Sequence, residues 1–179
     1  MIINILQTER IFLRSLSSDD VSDEYASWLK DSEVNKFLES RFTQYDYSDL
    51  VHYVKAKAAS QNSALLGIFL RDDSKHIGNI QIDKINPFHL TATIGLMIGD
   101  KSHWGKGFAA EAIKLVADYV FQNLSIQKIN AGCYENNIGS MKAFSKAGFE
   151  VEGILKKQVV FEDKRKDVVL LGLRAFDEK

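Results

Sequence analysis

Thr93 to Leu124 constrains this chain most. It reads as an apolar strand (Ile94-Gly95-Leu96-Met97-Ile98), a turn of small residues from Gly99 to Phe108, and then a long amphipathic helix. Within the turn, Gly105-Lys106-Gly107-Phe108-Ala109-Ala110-Glu111 leaves the backbone bare just where the helix begins. The first turn of a helix offers N–H groups with no internal partner and the positive end of the macrodipole, so main chain alone can hold an anion there. Glycines remove the Cβ atoms that would keep a bulky pyrophosphate at a distance. Ala109, Ala112, Ile113, Val116, Ala117, Val120, Phe121 and Leu124 then fall on one side, the stripe of a helix laid against a sheet. Taken alone, the Gly-x-Gly turn reads equally as a tight turn or a phosphate cradle. It lacks the third glycine of the dinucleotide fingerprint and the Gly-Lys-Ser/Thr of the phosphate loop.

A second stretch follows a further apolar strand: Asn137-Ile138-Gly139-Ser140, then Ala143-Phe144-Ser145-Lys146-Ala147-Gly148-Phe149. Together the two resemble the GNAT superfamily of acetyl-CoA-dependent N-acetyltransferases. The motif of that family is Gln/Arg-x-x-Gly-x-Gly/Ala on a strand-loop-helix, with a later Asn-x-x-Ala/Ser ending in Gly-Phe. Here the matching residues are Ser102 to Gly107, Asn137-x-x-Ser140 and Gly148-Phe149, and the resemblance runs from Arg10 to Ala175. It implies one α/β domain over residues 1–179, GNAT-like, with helices on both faces of a mixed, largely antiparallel sheet and central strands that splay apart.

A chain of 179 residues fits one domain, burying roughly two thirds of its unfolded surface. A net charge of −1 gives no pull toward nucleic acid or anionic membrane, so neither is an expected partner. Cys133 is the only cysteine and His52, His76, His89 and His103 show no ligand spacing, so no disulfide framework and no metal are expected. The N-terminus lacks the pattern of a signal peptide and no long apolar run occurs; a cytoplasmic protein is the expectation.

In order, Arg10–Leu16 reads as a strand, stopped by a helix-capping run Ser17 to Asp20. A helix over Val21–Lys30 buries Val21, Tyr25, Trp28 and Leu29, and Asp31-Ser32-Glu33 restarts one carrying Val34, Phe37 and Leu38. A third begins at Ser48. Ala64–Arg71 and His76–Ile85 form a hairpin, Leu90–Ile98 a fourth strand and Lys128–Tyr134 a fifth after the long helix. A short helix, Ile138–Ala147, precedes two last strands, Phe149–Phe161 and Arg165–Ala175, for about seven strands in all.

The resemblance also implies chemistry. In the family the fourth strand carries a bulge and parts from the fifth, the pantetheine arm inserts as a pseudo-strand, and a backbone N–H meets the thioester carbonyl. That donor would come from around Met97 or Ile98, with Gly95 suited to the irregularity and Gly99 beside it. The pyrophosphate would rest on Trp104, Gly105, Lys106, Gly107, Phe108 and Ala109, where Lys106 either adds charge or is a solvated lysine. Ser102 stands where the family has Gln or Arg, and His103 reads as packing. Asn137 either bonds the pantetheine amides, caps the helix, or both. Many relatives carry a proton-donating tyrosine at Phe144, which has no proton to give. Ser140 is then the candidate acid for the thiolate, or a helix-start serine. The glutamate bases of relatives would fall at Gly132 or Val159, so no base is named; Glu39, Asp83, Tyr134 and Glu135 remain, and Trp28, Glu39, Asp83 and Tyr134 are the candidate acceptor contacts. Cys133 reads as buried packing.

The expected function is direct acetyl transfer from acetyl-CoA to a primary amine in a ternary complex. Trp28 to Phe42 looks most like enzymes acting on nucleotide-linked amino sugars, and a protein N-terminal amine is the other leading acceptor. A polyamine would call for an acidic pocket from Glu33, Glu39, Asp46 and Asp49. A catalytically silent acyl-CoA-binding module is the reading of a different class. The partner is thus a small-molecule or peptide amine, and a homodimer is allowed.

Overall fold

Every residue of Ala64–Leu70 is buried, and a strand apolar on both faces must lie inside a sheet covered on both sides. The computed structural model, which describes residues 1–175, builds that sheet from eight strands. In chain order these are β1 (Leu6–Gln7), β2 (Ile11–Ser15), β3 (Ala64–Leu70), β4 (His76–Asn86), β5 (Thr91–Ile98), β6 (Lys128–Tyr134), β7 (Glu150–Phe161) and β8 (Lys164–Arg174). The helices are α1 (Asp23–Lys30), α2 (Ser32–Asn35), α3 (Tyr47–Ala59), α4 (Phe108–Asn123) and α5 (Ile138–Lys146). Across the sheet the order is β1-β2-β3-β4-β5-β6-β8-β7. Every neighbouring pair is antiparallel except β5–β6, which α4 connects.

Pleat alternation divides the side chains between two cores. Ile80, Ile82, Ala92 and Ile94 point to one face, where they meet Ala112, Ile113, Val116 and Val120 of α4 and Phe144 of α5. On the other face Leu65 and Phe69 lie under Tyr25, Trp28, Leu50 and Val54 of α1 and α3. The α4 stripe is the one its spacing predicts, with Phe108 added at the start.

Several boundaries move for local reasons. The strand missed in the sequence is β1, two residues paired with Leu13 and Phe12 through a tight turn in which Thr8 N donates to Ile11 O at 2.9 Å. Ser17 and Asp20 form a reciprocal capping box, but on a single 3-10 turn; Ser22 caps α1 instead, accepting from Tyr25 N at 3.1 Å. Asp31 caps α2 as expected, yet α2 ends at Asn35, leaving Phe37 and Leu38 beyond it. Phe37 stacks on Phe161 of β7 at 5.2 Å instead. The irregularity expected at Gly95 is elsewhere: Gly95 pairs regularly with Gln81, and the register of β4–β5 slips between Asp83 and Asn86, where Lys84 adopts a φ of 52°. What Gly95 leaves instead is room for the Gln81 side chain, 3.5 Å from where its Cβ would stand.

Trp28, 5% exposed, covers the end of β5 so closely that a Cβ on Gly99 would lie 2.0 Å from its ring. Gly99→Ala should therefore cost about 1–3 kcal/mol in urea unfolding, whereas Gly95→Ala should leave the midpoint nearly unchanged. Equal effects would contradict this packing.

Candidate active site

The one parallel pair stops early. Thr91, Ala92 and Thr93 of β5 pair with Lys128, Ile129 and Asn130 of β6, and there the ladder ends, although β5 runs on to Ile98 and β6 to Tyr134. Each stays attached on its outer side, β5 to β4 as far as Ile98 against Gly78 and β6 to β8 as far as Tyr134 against Val168. The two strands therefore part. Gly99 N donates to Ile77 O at 2.9 Å, so alternation turns Met97 toward β4 and leaves the main-chain groups of Leu96 and Ile98 facing the gap. The Ile98 carbonyl accepts from the Trp104 indole at 2.8 Å. The rest is an open strand edge, the surface to which an extended, amide-bearing chain can add.

Below the gap, the glycine turn has the bare geometry that an anion site needs. Gly105 and Gly107 adopt φ values of 73° and 87°, a region that favours glycine, and Gly107 starts α4 with no side-chain cap of its own. A Cβ on Gly105 would meet nothing within 4 Å, so conformation, and not crowding, selects glycine there. The loop is pinned from both ends. Arg10 stacks over Phe108 at 4.6 Å, donates to Lys106 O at 3.1 Å and pairs with Glu111 in the first turn of α4. On the other side Asp100 accepts from Ser102 N at 2.9 Å, Ser102 Oγ at 2.7 Å and Lys75 Nζ at 2.6 Å. Although partial burial opposes it, Lys75 and Ser102 hold the Asp100 carboxyl far below the usual carboxylate range. His103 faces Asp100 at 3.0 Å and packs on Phe108. The Lys106 side chain is exposed.

A cavity of about 600 Å³ runs through the gap. On the α5 side it is lined by Cys133, Asn137, Ser140 and Phe144, in the gap by Gly95, Leu96, Met97, Gly132 and Tyr134, and on the far side by residues of α1, α3 and β4. Asn137 Oδ1 caps α5, accepting from Ser140 N at 3.1 Å, so the carboxamide can offer a ligand its NH2. Ser140 lines the same wall as Cys133, whose thiol burial holds above its ordinary pKa against an opposing pull from Ser140. Phe144 is 2% exposed and meets Phe149 edge-on.

On the far side of the gap Tyr134 OH donates to Glu39 Oε1 at 2.6 Å and accepts from Arg41 Nη2 at 3.0 Å. Burial, and then the bond to Glu39, raise the Tyr134 phenol above its usual pKa. Burial likewise pushes Tyr53 to about 12. The phenols stay neutral, so Glu39 is the one carboxylate among the described lining residues.

Of the residues singled out in sequence, the structure thus brings Met97, Asn137, Ser140, Phe144, Glu39 and Tyr134 to one cavity. It does not bring Trp28 or Asp83, and Ile98, Gly99 and the turn from Trp104 to Ala109 lie outside its lining. Trp28 is packed between His76 and Gly99, and Asp83 is ion-paired with Lys57. Glu135 faces Lys166 at 3.5 Å. Gly132 and Val159, where relatives carry glutamates, both line the cavity without supplying a carboxylate. Arg41, Tyr45, Tyr53, Asn79 and Gln81 were missed. They come from elements distant in sequence, and no local pattern marks them.

The comparisons with known proteins agree with this geometry. A family model described as an acetyltransferase (GNAT) domain matches residues 10–150. The probable N-acetyltransferase YjcK of Bacillus subtilis (strain 168) is 42% identical over 118 residues, a match that spans 63% of this chain and 63% of that relative. The uncharacterized N-acetyltransferase YoaA of the same organism is 30% identical over 155 residues, 86% of each. Among solved structures, RimL, a ribosomal L7/L12 alpha-N-protein acetyltransferase in complex with coenzyme A, has a TM-score of 0.85 at 16% identity, covering 96% of this chain and 98% of that one. A spermidine N-acetyltransferase from Vibrio cholerae in complex with CoA and spermine has a TM-score of 0.82 at 20% identity, covering 93% and 96%. At those identities the likeness shows the fold. The chain belongs to the GNAT family of acetyltransferases, and its activity is acetyl-CoA-dependent N-acetyl transfer.

Proposed function

We propose that the chain acetylates a primary amine held at Glu39, with acetyl-CoA entering between β5 and β6. The observation that carries this reading is the single cavity joining Asn137 and Ser140 to Glu39 and Tyr134 through the gap. The residues fit the cosubstrate: bare amides at Gly105 to Ala109 would hold the pyrophosphate, Asn137 and the open edge at Leu96 and Ile98 the pantetheine amides. Bound there, acetyl-CoA supplies an acyl carbon activated by a thiol leaving group.

The chain's own residues then handle protons. An alkylammonium near pKa 10.4 must lose a proton before it can attack. Glu39, reached from the acceptor side and held in place by Tyr134, is the group that receives it. Tyr134 holds that carboxylate, and Arg41 in turn donates to Tyr134 OH and ties the turn to β7 through Val160 O at 3.3 Å. Ser140 faces the opposite mouth, where the departing sulfur needs a proton. A thiol of pKa near 8.5 leaves tolerably without help, so the hydroxyl has a modest task.

Acidity argues against a polyamine. Of the four carboxylates that could have formed an acidic pocket, Glu33 pairs with Lys101 at 2.6 Å, and Asp46 and Asp49 cap α3 reciprocally. Only Glu39 remains, which suits an acceptor with one amine, such as an amino sugar or a peptide N-terminus.

Thiol release from acetyl-CoA with a panel of primary amines tests this. Glu39→Gln should lower kcat/KM by about 100-fold or more at neutral pH while leaving coenzyme A affinity unchanged; full activity in this variant would remove Glu39 as the base. Ser140→Ala should slow turnover about 10-fold, and an unchanged rate would assign protonation of the thiolate to water.

A further inference from the structure

Asn79 is a polar side chain that the fold itself leaves unsatisfied. It is 5% exposed, lines the cavity and pairs across the sheet with Met97, next to the parted edge. Its amide orientation follows from its neighbours. His76 Nε2 lies 3.0 Å from Gly78 O and 2.8 Å from the Asn79 oxygen. A backbone carbonyl can only accept, so Nε2 carries the hydrogen, and the Asn79 atom facing it must be Oδ1. Burial holds the His76 imidazole below its ordinary pKa despite these bonds, which keeps it neutral with that one N–H. The NH2 of Asn79 is thereby turned away from His76, and it finds no acceptor among the described residues.

A buried donor without a partner costs free energy until something accepts from it. Neighbouring groups do not: Gln81, two residues along the same strand face, bonds Tyr53 OH through its Oε1 at 2.9 Å and makes no bond to Asn79. Ser40 Oγ, beside Glu39, is a second buried polar atom without a partner that lines the same space. An amine nitrogen bound at Glu39 has nothing to spare for the Asn79 NH2: as an ammonium it is itself a donor, and once deprotonated its lone pair is committed to the thioester carbon. A hydrocarbon chain would bury the donor unpaired.

We infer that Asn79 selects acceptors in which an oxygen stands close to the reacting amine, the Asn79 NH2 donating to that oxygen while Glu39 holds the nitrogen. This rests on the acetyl-transfer reading and narrows it. The shared chemistry is an α-amino carbonyl, as at a peptide N-terminus, or a vicinal amino alcohol, as in an amino sugar. Simple alkylamines are the excluded class.

Matched pairs test it: glycinamide against propylamine, and glucosamine against cyclohexylamine. In the wild type kcat/KM should favour the oxygen-bearing member of at least one pair by about 10- to 100-fold, and the pair that shows the preference identifies the source of the oxygen. Asn79→Leu should abolish the preference, chiefly through KM for the oxygen-bearing amine. Asn79→Asp, which keeps an oxygen for His76 and replaces the donor by a carboxylate, should reverse a preference for glycinamide, whose carbonyl oxygen can only accept, and spare one for glucosamine, whose hydroxyl can donate; thermal unfolding of both variants reports whether the fold survives. Equal rates within both wild-type pairs, or a preference that persists in both variants, overturns the inference while acetyl transfer stands. Should no amine turn over, acetyl transfer is what fails. The same pairs are then compared by thermal protection of the coenzyme A complex, where equal protection or none would sink the assignment of Asn79.

Discussion

Three residue pairs, Thr91 to Thr93 with Lys128 to Asn130, hold β5 and β6 together, and everything functional follows from the ladder ending there. Backbone groups inside a protein are almost always paired, because an unpaired one forfeits its bonds to water. An internal sheet that leaves a strand edge open is therefore built to receive something. β4 and β8 allow this by anchoring the two strands separately, so the gap costs no order on either side. The same parting joins the two faces of the sheet, which is why one cavity reaches from α5 to Glu39.

The anion end depends on a second economy. Gly105 and Gly107 supply a backbone that side chains would strain, and such a loop is floppy unless tied down. Arg10 and Glu111 tie it to the sheet edge, while Asp100, with Lys75 and Ser102, ties the turn before it. Ser102, which replaces the residue usual in the family, thus serves the turn itself. The electrostatics of the acceptor end are spare by comparison: neutral phenols and amides around one carboxylate.

The fold was legible in the sequence wherever structure is local. The α4 stripe, the glycine turn, the Asp31 cap and the β3–β4 hairpin all appear where spacing puts them. The failures are tertiary. β1 is too short to leave a periodic signal and exists because β2 offers an edge. Phe37 and Leu38 continue a helical pattern, but α2 ends at Asn35 and Phe37 stacks on Phe161, a contact distant in sequence. Gly95 looked like a bulge and is a plain strand residue that makes space. At the site, the proposed cofactor half lies in two contiguous motifs, Ser102 to Gly107 and Asn137 to Ser140, which the sequence names directly. The acceptor half is assembled from the 3-10 turn at Glu39–Phe42, α1, α3, β4 and β6, so Glu39 could be named only as one of several carboxylates, and Asn79 not at all.

Hydrogen exchange of individual amides, with and without coenzyme A, tests the central claim most directly. The N–H groups of Leu96 and Ile98 should exchange readily in the free protein and slow on binding, together with those of Phe108 to Ala110 at the start of α4, while Met97, already turned toward β4, changes little. If Leu96 and Ile98 are protected without ligand, or remain unprotected when coenzyme A is bound, the strands do not part to admit it and the account fails.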